Sequence, residues 1–148
     1  MTKRQHFRGS PEEALFLELL RTTEALSFRL VEVLKQAELS STQYNVLRIL
    51  RGAGEGLSCS EIGERMITHD PDITRLLDRL EKRRLVARSR DNKDRRLVLT
   101  RITPQGMNVL GGLDVPVQAA HRSLLGHLGR EKQRQLTELL EVARTKAS

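Results

Sequence analysis

Leu15, Leu19, Leu26, Leu30, Val33 and Ala37, with Phe16, Leu20 and Leu34 beside them, recur at the spacing of one face of a helix. The stripe lasts about 26 residues, roughly 39 Å at 1.5 Å per residue. A helix longer than the body it packs on reaches into a second subunit, so part of it is expected to be a dimer element. Ser10-Pro11-Glu12-Glu13 supplies its start, with Ser10 as N-cap, Pro11 in the first turn and Glu13 as the capping-box acid.

Ser40-Ser41-Thr42-Gln43 opens a second helix with Val46, Leu47, Ile49 and Leu50 inward, and Gly52-Ala53-Gly54 ends it. Ser58-Cys59-Ser60-Glu61 opens a third, of about nine residues, with Ile62 and Met66 toward the core. Asp70-Pro71 is read as the start of a fourth, whose stripe is Ile73, Leu76, Leu77 and Leu80 and whose other face carries Asp72, Arg75, Asp78, Arg79, Lys82 and Arg83. From Val86 the period changes to that of two short strands, 86–90 and 97–102, around the charged tip Asp91-Asn92-Lys93-Asp94-Arg95-Arg96. Thr103-Pro104 caps a fifth helix carrying Met107, Leu110, Leu113 and Val117, weakened by Gly111, Gly112 and Pro116. Leu124, Leu125 and Leu128 continue its stripe, and a last helix from about Arg130 carries Leu136, Leu139, Leu140 and Ala143. The fold class is therefore mainly α with one small β-hairpin.

A chain of 148 residues with 38% hydrophobic content forms one folded unit rather than several. The single cysteine, the lack of a signal-peptide pattern and the lack of a long apolar run give a cytoplasmic expectation with no membrane partner. Four scattered aromatics disfavour a module that stacks single-stranded bases. Charge is uneven: from Arg65 to Arg101 twelve Lys and Arg stand against six acids, while the rest of the chain carries fourteen against thirteen. A local basic field points to a polyanionic partner, the alternative being a solvated charged face.

A short helix, a turn, a second helix that is apolar inside and basic outside, and a basic hairpin together make a winged helix-turn-helix. The second helix presents its outer N-terminal residues to base edges in the major groove, and the hairpin tip suits the minor groove or its phosphates.

Ile73 to Val86, then Asp94-Arg95-Arg96, five residues, and Ile102-Thr103-Pro104-Gln105-Gly106 resemble the MarR family of bacterial winged-helix regulators. The likeness runs from Ser10 through the long first helix, Leu57-Ser58-x-Ser60-Glu61-Ile62 and the two C-terminal helices. Residues 1–9, with Lys3, Arg4 and Arg8 and few apolar groups, read as a flexible basic arm; the resemblance implies a single domain over 10–148, with a winged lobe at about 40–103 and dimerisation helices, the first, fifth and sixth, at about 10–37 and 104–146. It implies a sequence-specific, ligand-responsive homodimeric repressor on a pseudo-palindromic duplex operator, with a small-molecule effector bound between dimer core and lobe at residues the sequence does not identify. By resemblance Arg75 and Arg79 touch bases or phosphates, Arg96 enters the minor groove, and Asp94 orients it. Thr74, Lys93 and Arg95 complete the expected DNA face. His69, just before the recognition helix, is read either as a phosphate contact or as a turn histidine facing water. Arg84 stands where the family usually has a helix-ending glycine. Asp72 replaces a small residue, as an acceptor for a cytosine amino group or as a charge at the helix dipole's positive end.

Cys59 lies in a first helical turn, where the dipole lowers a thiol's pKa, but the cysteine of the family's peroxide sensors lies in the first helix, where this chain has none. His6, His69, His121 and His127 are too scattered to form a ligand set, and no nucleophile-base arrangement or phosphate loop occurs, so neither metal, cofactor nor catalysis is expected. The competing readings are a sequence-indifferent nucleoid- or RNA-associated winged-helix protein without effector control, and an enzyme acting on an anionic substrate. The long C-terminal dimer region argues against the first, and the lack of a convergent acid, base or nucleophile against the second.

Overall fold

The computed structural model describes residues 9–147, so the expected arm over 1–9, with His6, falls outside the described residues except for Gly9. Six helices and one hairpin follow in the expected order: α1 (Pro11–Leu34), α2 (Ser41–Ala53), α3 (Cys59–Arg65), α4 (Ile73–Lys82), β1 (Val86–Arg90), β2 (Val98–Ile102), α5 (Pro104–Leu125) and α6 (Gly129–Arg144). The two strands are antiparallel, with Val86 opposite Ile102 and Arg90 opposite Val98. Leu57 adds a bridge on the free side of β2, its N–H and carbonyl both paired with Thr100, an element that the periodicity does not announce.

Local chemistry sets most of the helix starts. Ser40 and Ser58 each complete a reciprocal capping box, with Gln43 and Glu61 as the returning side chains. At α1 only half of the expected box forms: Ser10 Oγ accepts from the Glu13 N–H. It is Glu12 whose carboxylate takes its own backbone N–H and the Ser10 side chain, which hold its pKa below the usual value. The start of α4 also differs from expectation. Asp72, not Asp70, is the N-cap, accepting from the Arg75 N–H at 3.1 Å, while Asp70 accepts from the Asp72 N–H at 2.8 Å. Two consecutive Asx interactions hold residues 70–72 in a turn, so the helix begins two residues after Pro71. α3 is seven residues long rather than nine, because Met66 is extended and ends it half-buried against the core.

The core is one cluster built from the inner faces of α2, α3, α4 and α5, with Leu34 and Leu39 at the end of α1 and Leu57, Leu85 and Val86 closing it. Gly106 sets the approach of α5: a Cβ there would lie 2.3 Å from the Leu85 carbonyl oxygen. α5 runs unbroken through Pro116. Leu110, Leu113 and Val117 are buried as expected, but Met107 is 44% exposed, so the inward stripe begins one turn later. Large apolar side chains remain uncovered on three helices, among them Phe16 and Phe28 of α1, Val115 of α5, and Leu139 and Val142 of α6.

α4 ends in a Schellman motif: the Leu85 N–H reaches the Leu80 carbonyl (3.1 Å) and the Arg84 N–H that of Glu81 (2.8 Å). Arg84 occupies its left-handed position, with φ +59°, so the helix closes as a glycine would close it and carries the steric cost of a Cβ there. Arg84→Gly is therefore expected to raise stability by about 1 kcal/mol in urea denaturation, the relief being partly offset by glycine's greater unfolded-state freedom. An equal or lower midpoint would show that no strain is stored at Arg84.

Candidate nucleic-acid interface

α4 is short and one-sided. Leu76, Leu77 and Leu80 are buried and Ile73 half-buried, and this fixes the rotation of the helix about its axis. Arg75 and Arg79, four residues apart, then share the outward face with Thr74, Asp78 and Lys82. The guanidinium groups of Arg75 and Arg79 have no hydrogen-bond or ion-pair partner among the described residues. Both arginines border a groove of about 510 Å³ whose other wall is the N-terminus of α2, with Ser40, Thr42 and Gln43. Asp70 and Asp72 also line it. The sequence shows the capping box at Ser40 only as a helix start and carries no local sign that α2 walls this groove.

The wing is tied to α4 by one side chain. Arg88 Nη2 donates to Asp78 Oδ1 (2.5 Å) and Glu81 Oε1 (3.0 Å), and its Nε and backbone N–H both donate to Glu81 Oε2 (3.3 and 3.1 Å). Hydrogen bonds from Arg88 hold the Glu81 carboxylate below its usual pKa, and donating to Glu81 and Asp78 holds the guanidinium above its own. Two acids of α4 thus share one arginine within the lobe, and β1 is tied to α4.

At the hairpin tip the Asp91 N–H bonds the Leu97 carbonyl and the Leu97 N–H that of Asp94, so β2 starts at Val98, one residue after expectation. Arg90 Nη1 crosses the tip to the Arg95 carbonyl at 2.7 Å. Asp94 Oδ1 accepts from both the backbone N–H and Nε of Arg96, at 3.1 and 3.2 Å, although the Arg96 side chain is 91% exposed. Lys93 and Arg95 are exposed beside it, and His69 is exposed in the turn before α4. Arg83, counted in the sequence with the basic outer face, turns back instead and donates to the carbonyls of Glu38 (2.6 Å) and Ala37 (2.9 Å) at the end of α1.

A second concavity, about 520 Å³, lies between the lobe and the long helices. Leu30 of α1, Tyr44, Asn45, Arg48 and Ile49 of α2, Arg65 of α3, Ile67 and Thr68 after it, and His121 of α5 line it. Its lining mixes apolar surface with hydroxyl and amide groups and two arginines, a composition the sequence could not assemble from four separate elements.

A helix-turn-helix with an unpartnered cationic face, followed by a hairpin carrying a pre-oriented arginine, defines a winged-helix DNA-binding lobe. The family model described as MarR family matches residues 39–98. A MarR transcription factor from Planctomyces limnophilus, of known crystal structure, is 39% identical, covers 93% of this chain and 99% of its own, and superposes with a TM-score of 0.69. The HTH-type transcriptional regulator FarR of Neisseria gonorrhoeae is 28% identical over 131 residues, 88% of this chain and 89% of that protein. A mutant MarR from E. coli, crystallised with operator DNA, shares the fold at a TM-score of 0.81 and 24% identity, covering 88% of this chain and 93% of its own. The chain belongs to the MarR family and is a DNA-binding transcriptional regulator.

Proposed function

We propose that the protein is a homodimeric repressor that seats one winged lobe on each half of a pseudo-palindromic duplex operator and is released by a small molecule. The observation that carries this reading is the outward pair Arg75 and Arg79, free of internal partners, beside an Arg96 already held by Asp94. Arg75 and Arg79, with Thr74, face the major groove. Arg96 enters the minor groove, and Lys93, Arg95 and His69 reach phosphates. Asp72 acts first as the N-cap of α4, and only its second carboxylate oxygen is left for a base.

The winged lobe, 40–103, is the DNA-contacting part, and the helices over 10–37 and 104–146 join the subunits. Support for the dimer is the uncovered apolar surface of α1 and α6, where Phe16 is 60%, Phe28 66%, and Leu139 and Val142 67% exposed. Repression follows from occupying the operator, in the cytoplasm if the chromosome is bacterial. The effector fits the 520 Å³ cavity, where Arg48 and Arg65 beside Leu30, Tyr44 and Ile49 suit a small anion with an apolar body. Its relatives are regulators, and no catalytic step is proposed.

Selection of bound sequences from a random duplex pool, with light scattering on the free protein, tests the whole reading. A two-fold symmetric site and a dimer at micromolar concentration are expected. A monomer binding all duplexes alike would replace this reading with the sequence-indifferent one. On the selected operator, Arg75→Ala is expected to lose about 1–3 kcal/mol and to relax preference at one base pair per half-site. Equal loss on random duplex would instead make Arg75 a phosphate contact. Arg96→Ala is expected to leave the dimer intact, weaken binding and lower the magnitude of the log K against log salt slope by about 1. Asp94→Ala also weakens binding although it removes a negative charge beside DNA, and tighter binding by this variant would show that the wing acts through net charge alone.

A further inference from the structure

We propose that the ion pair between Arg51 of α2 and Asp114 of α5 is a positioning clamp that sets the angle of the winged lobe on the dimer helices, and so the operator half-site spacing the protein accepts. The inference rests on the dimeric operator reading above.

The two guanidinium nitrogens of Arg51 donate in parallel to the two oxygens of Asp114, Nη1 to Oδ2 and Nη2 to Oδ1, each at 2.9 Å. The residues are 63 positions apart in the chain and belong to the two parts whose relative orientation matters: the first helix of the winged lobe and a helix of the proposed dimer region. Their side chains keep 25% and 40% of their exposure, so the pair adds little to folding. What a fork-to-fork pair supplies in such a place is direction, since both bonds survive only within a narrow range of angles.

Asp114 also sits on the weakest stretch of α5. Gly111 and Gly112 lie just before it and Pro116 just after, and proline has no N–H to give the Gly112 carbonyl. Within the subunit a Cβ at either glycine meets nothing within 4 Å, so packing there does not require them. Each weakens the helix relative to alanine. Where the helix is least able to hold an orientation by itself, a bidentate bond to the lobe holds it. Leu110, Leu113 and Val117 of α5 are buried in the same core as Val46, Leu47 and Leu50 of α2, and to these non-directional contacts the ion pair adds a bond that depends on angle.

The consequence is specific. Changing operator spacing by one base pair shifts a half-site by about 3.4 Å and roughly 35° around the duplex, so a rigidly held second lobe misses its base contacts. A lobe free to turn recovers part of them.

The test compares the full-length parent, Asp114→Asn and Arg51→Lys on the selected operator, on the same half-sites respaced by one base pair either way, and on a duplex with one half-site. The parent is expected to lose about tenfold or more on respacing, the range of a lost base contact. Both variants are expected to bind respaced duplexes within about threefold of the original, and to match the parent on the single half-site. The double variant Arg51→Asp/Asp114→Arg, which restores opposite charges across the same gap, should recover part of the discrimination. Variants that fold and discriminate as sharply as the parent would overturn the clamp and leave the operator reading intact. Failure of both single variants to fold would make the pair a requirement of the fold and likewise overturn it. A parent with no preference for two half-sites over one would instead overturn the dimeric operator reading, and the clamp with it.

Discussion

The interface depends on the burial of one stripe of a ten-residue helix. A helix this short is not stable alone in water and takes its orientation from what it packs on. With Leu77 and Leu80 fully buried and Leu76 nearly so, rotation of α4 by even half a turn would put three leucines in water and two arginines in the core. Arg75 and Arg79 are outward because the leucines are inward. The Schellman turn then folds Leu85 back under the same core, and Val86 follows it into β1, so the wing's origin is set by the same burial.

Around that constraint the charged residues divide by what lies within reach. Of the basic excess between Arg65 and Arg101, Arg83 is spent on carbonyls at the end of α1, Arg88 on Asp78 and Glu81, and Arg90 on the hairpin tip. Of the acids, Asp72 caps α4 and Asp94 fixes Arg96. A side chain whose neighbours are polar groups of the same lobe becomes a strut, while one that the helix aims at solvent is left for a partner. Net charge per segment measures neither, so the +6 of the sequence is a sound sign of the partner's class and a poor count of its contacts.

This division also separates what the sequence discloses from what it does not. Capping at Ser40 and Ser58 uses donors three residues away and is written in adjacent letters; so are the leucine stripe of α4 and the Asp94 to Arg96 spacing. The α4 start is ambiguous in the sequence because Asp70 and Asp72 are both competent caps, and the choice between them falls to the turn that Asp70 makes with the Asp72 N–H. Arg83 finds its carbonyls 45 and 46 residues away and Arg51 its carboxylate 63 away. No local pattern encodes such pairs, because they depend on how α1, α2 and α5 pack. The cavity is hidden for the same reason, being walled by single residues from elements that only the fold assembles.

α2 joins these separate features. Its N-terminal residues Ser40, Thr42 and Gln43 wall the groove beside Arg75 and Arg79. Its middle, Tyr44, Asn45, Arg48 and Ile49, walls the cavity, and Asn45 Oδ1 holds the Ile67 N–H in the chain leading to α4. Near its C-terminus Arg51 grips Asp114. Thirteen helical residues make a rod of about 20 Å, and with Val46, Leu47 and Leu50 locked in the core it moves as one body or not at all. On the function proposed above, a ligand that binds the cavity better at one lobe angle than another acts at the operator through a rigid lever, and no chain of small side-chain shifts is needed to carry the signal. On that proposed function the same rigidity cuts the other way: DNA that fixes the lobe angle changes the cavity's affinity for such a ligand by the same factor, and the coupling is then a property of one helix's orientation.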